Sequence, residues 1–578
     1  MSDPVAINSI AGLIFVLLLS ATSASADTLL IHQARLISGD HPVVSAPSDV
    51  LINDGRILAI GSGLGPADRE IDAHGHFLIP GLIDAHVHLV GVPGYRGTDP
   101  DDQSMLQEAL DQIPRSYLYF GFTTLLDLAG KGSFIEKWNT RPVTPRAYYC
   151  APLLIPNGYP LSFLEDRNQQ FKAEPGTYLL FDPNQPDVYP PGFQREQHMP
   201  KRLIEQAKKD GASCIKVFYE TGFRAKKNLP VPSLELIQDI VREAHKLKLP
   251  VYMHGNSQDS YALALKAGVD TLAHGMWHES DAGQHESNLV RENRIAKELV
   301  AANIAVQPTM QVLYGEQEIF NPDFFNNPLL RQAVPERLIS WYKSKPGQWM
   351  KNTLASEFDF ATIDTAAQYQ AVQKSYQHPL ATVRHMTNQL YLQGDHLQFG
   401  SDSPSGPFYT QFPGMNGRLE MDRWIEAGIS PSNLFSAMTV VNARAIGVSA
   451  SIGSIEVGLR ADLLLLADNP LDSVHAYDTI ELVILNGHVH DRASLSAQPS
   501  SALAKAATAA DQPAFGLLSD TTCTSANKPV DEKGFVRIGG IEQWVRIKGS
   551  SCAKPIIVMV HGGQSNPNTP FADNLFKA

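Results

Sequence analysis

Through the middle of the chain, short apolar runs alternate with amphipathic segments, the pattern of an α/β fold built on a parallel sheet. Eight runs read as strands: "LIDAHVHL", "FTTLLDL", "RAYYCAPLLI", "CIKVFYE", "PVYMHGN", "TLAHG", "IAVQPTM" and "HLQFGSD". Segments such as "PSLELIQDIVREAHKLK" and "QDSYALALKAG" between them carry the helical period. Eight strand–helix units close a TIM-like (β/α)8 barrel, in which chemistry gathers at the C-terminal ends of the strands.

On either side of this core the period shortens. From Asp27 to Ile79, "TLLIHQARLIS", "DVLINDGRILAIG" and "HGHFLIP" read as short strands with Asp-Gly turns, and "ADLLLLADN" and "IELVILNGHVHD" read likewise much later. The two flanks, 27–80 and 447–492, are expected to assemble into one small β-sandwich beside a barrel of residues 81–446. Two connections are long: Asn157 to Pro200, rich in Pro, Tyr and Asn, and Leu313 to Gln377, rich in aromatics. They are either loops that shape a substrate pocket or surface insertions. Residues 493–530 have the Ala, Ser and Gln content of a linker, and 531–578 return to strands in "GFVRIGGIEQWVRIKG" and "KPIIVMVHGGQSNPNTPF".

At 578 residues the chain exceeds one ordinary core. Its formal charge of −13 argues against a nucleic-acid partner and offers no basic patch to anionic lipid, although it does not identify a substrate; a small-molecule substrate is expected, and homo-oligomerisation is left open. The apolar stretch "AGLIFVLLLS" is too short to span a bilayer comfortably, and Ala24-Ser25-Ala26 before Asp27 offers a cleavage site, with an uncleaved membrane anchor as the alternative. Residues 1–26 therefore read as a signal peptide, although Asp3 and the lack of Lys or Arg depart from the usual pattern. A secreted or periplasmic protein, with no stable membrane insertion after signal removal, is expected. The four cysteines are too few for a disulfide framework. Cys150 and Cys214, inside apolar runs, read as buried free thiols, while Cys523 and Cys552 can pair on export.

His86 and His88 in "PGLIDAHVHL" share one face of a strand, which alone is weak evidence. His254 ends "PVYMH", His274 ends "TLAH", Asp402 ends "LQFGSD", and Lys216 lies within "CIKVFY", so a barrel brings all six to one mouth. Four imidazoles and a carboxylate suit a divalent metal such as zinc. A lysine ammonium, with an ordinary pKa of about 10.4, would repel the ion. Addition of carbon dioxide to the neutral amine would give a carbamate whose two oxygens can bridge two metals; an ordinary lysine paired with an acid is the other reading.

These segments, with "GFTTLLDL", "DGASCIKVFY", "VYMHGNS", "AGVDTLAHG", "FGSDSPSG" and "GSIEVGLRADLLLLADNPL", resemble the metal-dependent amidohydrolase superfamily. Within it they are most similar to the branch of imidazolonepropionase-like enzymes, Xaa-Arg dipeptidases and ochratoxinase-like amidases. The resemblance implies two divalent ions, zinc first among zinc, manganese and cobalt. His86, His88 and Asp402 would hold the more buried ion, His254 and His274 the other, and carboxylated Lys216 would bridge them. It also implies a metal-bound hydroxide as nucleophile, with Asp402 accepting its proton and delivering it to the leaving group. One position departs: relatives often carry a second histidine where this chain has Asn256.

Other polar residues are set aside. His488 and His490 in "NGHVHD" and His74 and His76 in "AHGHFLIP" belong to the flanking strands and read as surface residues. Tyr219 reads as packing, and Lys201, Arg202, Arg224, Lys226 and Lys227 as solvated charges. The C-terminal segment resembles the start of a proline iminopeptidase-type α/β-hydrolase, with His561 to Gly563 at its oxyanion turn. Gln564 replaces the expected proline and no Gly-x-Ser-x-Gly elbow follows, so a serine hydrolase is disfavoured and the fragment is incomplete. The expected function is hydrolysis of an amide-type C–N bond in an N-acyl amino acid or dipeptide. A lactonase or cyclic-amide hydrolase is the alternative on the same site, and a non-catalytic metal-binding module the alternative of another class.

Overall fold

The structure is a computed structural model. It describes residues 28–498, apart from 90, 97–99, 165, 173–177, 224–225, 279–287 and 359–364, together with 530–538 and 541–549. The expected signal peptide, Arg224, Cys523, Cys552 and the His561–Gly563 turn lie outside the described residues. The chain divides into two compact units, residues 1–499 and 500–578.

In chain order the first flank gives β1 (Thr28–Leu36), β2 (Pro47–Asn53), β3 (Arg56–Gly61), β4 (Arg69–Asp72) and β5 (Phe77–Pro80). The middle gives β6 (Leu82–Val87), β7 (Phe122–Asp127), β8 (Arg146–Leu154), β9 (Tyr178–Leu179) and β10 (Cys214–Phe218). It continues through β11 (Gly222–Phe223), β12 (Lys226–Lys227), β13 (Val251–His254), β14 (Thr271–Ala273) and β15 (Ala305–Gln307). The second flank gives β16 (Leu463–Leu466), β17 (Ile480–Leu485) and β18 (His488–Asp491). In the second unit, β19 (Val530–Ile538) and β20 (Ile541–Gly549) pair as an antiparallel hairpin over the strands expected there.

Seven strands form a parallel barrel wall in the order β6-β7-β8-β10-β13-β14-β15, with β9 added to β8. Every residue of β6, β7, β10, β13 and β14 is buried, because a parallel sheet wrapped by helices has no wet face. The eighth expected strand is not a regular ladder. Residues 396–403 make single parallel bridges, Val306 with Leu397 and Val87 with Ser403. Backbone bonds run from Gln398 N to Val306 O (3.0 Å), Ala85 N to Phe399 O (3.1 Å) and Asp402 N to His86 O (2.8 Å). The segment thus nearly closes the barrel, but it presses on β6: a Cβ at Gly400 would lie 2.5 Å from that of His86. Asp402 then turns into the left-handed region at φ 50°, which no regular strand allows.

Around the wall run α1 (Pro100–Tyr119), α2 (Gly132–Asn139), α3 (Pro200–Lys209), α4 (Leu234–Lys246), α5 (Gln258–Ala267) and α6 (Asn288–Ala301). The Ser233 hydroxyl caps α4, which buries Leu236, Ile237, Ile240, Val241 and Ala244 along one stripe. A Ser257–Ser260 capping box starts α5, and Gly268 at φ 74° ends it. The described part of the aromatic-rich Leu313–Gln377 connection is largely helical, carrying α7 (Gln311–Glu318), α8 (Pro328–Ala333), α9 (Glu336–Lys343), α10 (Trp349–Glu357) and the start of α11 (Thr365–Gly394). Tyr342 donates to Pro93 O and Trp349 Nε1 to Gly94 O (2.7 Å), so these helices cover the loop that follows β6.

The two flanks meet, but as one mixed sheet rather than as two facing layers. Its order is β18-β17-β16-β5-β1-β2-β3, with β4 on β1. The joint is the antiparallel pairing of β16 with β5, Leu463 opposite Pro80 and Leu466 opposite Phe77. Leu29, Ile31, Val50, Ile52, Leu78, Leu463, Leu465 and Ile484 share one apolar cluster, so the sheet buries residues from both ends of the unit.

Cys150 and Cys214 are not free thiols. They sit opposite one another on β8 and β10 with Cα atoms 4.3 Å apart, and they form a disulfide. The bond lies in the apolar cluster that floors the barrel, with Ile83, Leu126, Tyr252 and Ile446. Register was the missing information: neither apolar run reveals by itself which residue of the other it faces. Peptide mapping without reductant should recover the two cysteine peptides linked. Cys150→Ser should lower unfolding stability by about 2–4 kcal/mol through loss of the cross-link.

Candidate active site

Strand ends bring the sequence-selected residues together. His86, His88 and Asp402 place one ligand atom each within 4.8 Å of one another. His86 Nε2 lies 3.1 Å and His88 Nε2 3.0 Å from Asp402 Oδ1, and His274 Nδ1 lies 3.5 Å from Asp402 Oδ2. The His274 ring is 4.9 Å from that of His86 and 4.5 Å from that of His254. Lys216 is 1% exposed and close enough to repel protons from His86, His254 and His274 while feeling the charge of Asp402.

The polar atoms of this group are poorly satisfied by the protein. His86 Nδ1 and Lys216 Nζ are buried without a hydrogen-bonding partner, as is the indole nitrogen of nearby Trp277, and His86 Nε2 faces Asp402 Oδ1 without the alignment of a hydrogen bond. Buried polar groups are rarely left so, and several together mark a place for something other than protein. Strain coincides with them. His274 (φ 95°), Thr309 (φ 45°) and Asp402 (φ 50°) all take the left-handed backbone that side chains disfavour, and the Thr309 hydroxyl lies 3.1 Å from His274 Nδ1.

Charge states suit a cation. Burial pushes His86 down to about 4 and lowers His254 and His274 too, so these imidazoles are neutral, with lone pairs free to ligate, at neutral pH. Burial acts to raise Asp402, but the imidazoles that face it, His86, His274 and His88, offset this through hydrogen bonding and through charge whenever one of them is protonated, and the carboxyl lies well below its usual range. His88 is the exception: burial is overcome by Asp127 and Asp402, which lift it to about 9. Its Nδ1 faces Asp127 and its Nε2 faces Asp402, and a cation bound at Nε2 would displace the proton there. Burial pushes Lys216 down to about 7, against the pull of Asp402, so a substantial part of this amine is uncharged at neutral pH. The nitrogen and oxygen donors fit a divalent metal, and the neutral amine fits carbamate formation.

Several residues of the site escaped the sequence reading. Asp127, at the end of β7, lies 3.8 Å from His88 Nδ1 and accepts the Leu89 N–H at 3.1 Å. Glu220 stands 3.1 Å from His254 Nε2. Tyr159, from the Asn157–Pro200 connection, packs its ring 4.8 Å from that of His254, with Phe223 5.3 Å from Tyr159, so this insertion does reach the site. Asp127 and Glu220 follow barrel strands, a positional signal that was available. Nothing in the sequence marked Tyr159 or Thr309.

The excluded residues stay outside. His488 and His490 lie on β18, at the edge of the flanking sheet, and His74 and His76 face Asp72 and Glu481. Tyr219 packs against the main core, and Lys201 is exposed, 4.0 Å from Glu205.

Residues 77–490 match the amidohydrolase family. The chain belongs to that family. Over 122 residues it is 39% identical to 5-methylthioadenosine/S-adenosylhomocysteine deaminase of Pyrococcus furiosus, a match covering 19% of this chain and 28% of that one. Over 114 residues it is 31% identical to L-hydantoinase of Paenarthrobacter aurescens, covering 19% of this chain and 23% of that one. The chain thus spans less than a third of either relative. A solved Xaa-Pro dipeptidase with bound methionine shares the fold at a TM-score of 0.53 and 19% identity, over 80% of this chain and 100% of that one.

His86→Asn and Asp402→Asn should each lower the metal bound per purified chain, read by elemental analysis. His488→Ala and His490→Ala should leave it at the wild-type level.

Proposed function

We propose that this amidohydrolase is an exported enzyme that cleaves an amide-type C–N bond at a centre of two divalent metals. One observation carries the reading: Lys216 is a buried, unpartnered and largely deprotonable amine set among three neutral histidines and an ionised aspartate. His86, His88 and Asp402 would hold one ion and His254 and His274 the other. The Lys216 lone pair would add to carbon dioxide with release of a proton, giving a carbamate between them. Bound there, the ions supply Lewis acidity, which acidifies water and polarises the scissile carbonyl. Zinc is the ion we favour.

The protein's own groups do the rest. Asp402, kept ionised, accepts the proton of the attacking water and passes it to the leaving nitrogen. Asp127 steers the His88 ring through its Nδ1 edge. The rings of Tyr159, Phe163 and Phe223, gathered on the His254 side, favour an apolar substituent next to the scissile bond. An N-acyl amino acid or dipeptide meets these requirements, and the likeness to a dipeptidase supports it. A cyclic amide is the second reading, supported by the identity with L-hydantoinase. Export is supported by the leader-like start of the chain and by the Cys150–Cys214 bond, since disulfides persist in oxidising compartments. Among the described residues no helix is long and apolar enough to cross a membrane.

The test is a hydrolysis screen of N-acyl amino acids, dipeptides, cyclic amides and lactones, run with metal analysis on wild type, Lys216→Ala and Asp402→Asn. We expect about two ions per chain in wild type and one or none in Lys216→Ala. Asp402→Asn should lose on the order of 10²–10⁴-fold in kcat. Full activity in Asp402→Asn would contradict the proton-transfer role, and turnover of cyclic amides alone would select the second reading.

A further inference from the structure

The geometry points to Glu220 as the positioning residue for His254, an inference that rests on the metal-binding reading above. Glu220 follows β10, an even number of residues after Lys216, and is 5% exposed. Its Oε2 lies 3.1 Å from His254 Nε2 and accepts the Asn256 side-chain amide at 3.1 Å, while Oε1 accepts the Gly222 backbone N–H at 2.7 Å. Both oxygens are therefore fixed.

A carboxylate only accepts hydrogen bonds, so the His254 nitrogen facing it must carry the proton. That choice leaves the lone pair on Nδ1, the other edge of the ring. The ring cannot easily turn away, with Tyr159 4.8 Å from it on one side and Phe218 6.1 Å away. Carboxylates that fix histidine tautomers in this way also make the imidazole a stronger donor to a metal. Asn256 then has a defined task. Its side-chain amide donates to Glu220 and holds it against His254.

A cap that merely satisfies buried groups predicts something different from a device that prepares a ligand, and metal affinity separates them. Wild type, Glu220→Gln and Asn256→Ala would be titrated with cobalt(II) after chelation, following ions bound per chain and the visible spectrum. Glu220→Gln keeps a neutral acceptor, and it should weaken the more loosely held ion about 10–100-fold and shift its absorption bands, with the tighter ion unchanged. Asn256→Ala should move both readouts the same way by less. Wild-type affinity and spectrum in Glu220→Gln, or an equal weakening of both ions together with a lower Tm, would overturn the inference. A wild-type chain that binds a single ion would overturn the binuclear reading instead. In that case a change in that ion's affinity and spectrum in Glu220→Gln would uphold the positioning role, and no change would reject it.

Discussion

The Lys216 amine sits inside a barrel with no partner for its nitrogen, and the arrangement of the mouth depends on that fact. Leaving a buried polar group unsatisfied costs roughly 1–3 kcal/mol, more if it is charged. Here the amine and His86 Nδ1 share the condition, while His86 Nε2 and Asp402 Oδ1 face each other without an aligned hydrogen bond. Three residues around them also hold a disfavoured backbone, at roughly 1–3 kcal/mol each. A chain folds around such a group only when the surroundings over-determine it. A bound cation would take up the lone pair of one His86 nitrogen and that of Asp402 Oδ1, and would stabilise the fold by mass action.

The surroundings are organised for that purpose where residues 396–403 meet β6. Asp84 accepts the Ser401 backbone N–H at 3.0 Å and its hydroxyl at 2.5 Å, and Asn442 bridges Ile83 O and Phe399 O at 2.9 and 2.8 Å. Gln307 adds a bond to Ala85 O at 2.9 Å. These contacts fix Asp402 relative to His86 although no regular ladder joins the two segments. Below them the disulfide locks the register of β8 to β10, two residues before Lys216 on the same strand. The flanking sheet adds its own core at the side, and β5 leads straight into β6, so its packing anchors the strand that carries two of the histidines.

Much of this was legible in the sequence because it depends on local pattern. Fully buried parallel strands are continuous apolar runs, and each run could be located together with the polar residue that ends it. His86, His88, His254, His274 and Asp402 stood out for that reason. What depends on register or on long-range approach could not be read. The Cys150–Cys214 bond requires knowing that those residues face each other, and the close approach of Gly400 to His86 within the irregular eighth segment is equally long-range. The antiparallel pairing of β16 with β5 joins residues nearly 400 positions apart, and it turned an expected sandwich into one sheet. Glu220 and Asp127 looked like ordinary strand-end acids until their distances to His254 and His88 were known.

Lys216 is proposed to lie between two metal ions as a carbamate. Diffraction from crystals of the metal-loaded protein, with data collected at the metal absorption edge, decides this. Two anomalous peaks are expected, one at His86, His88 and Asp402 and one at His254 and His274, with density extending from Lys216 Nζ to both. A single peak at the first group, beside an unmodified lysine, would contradict it.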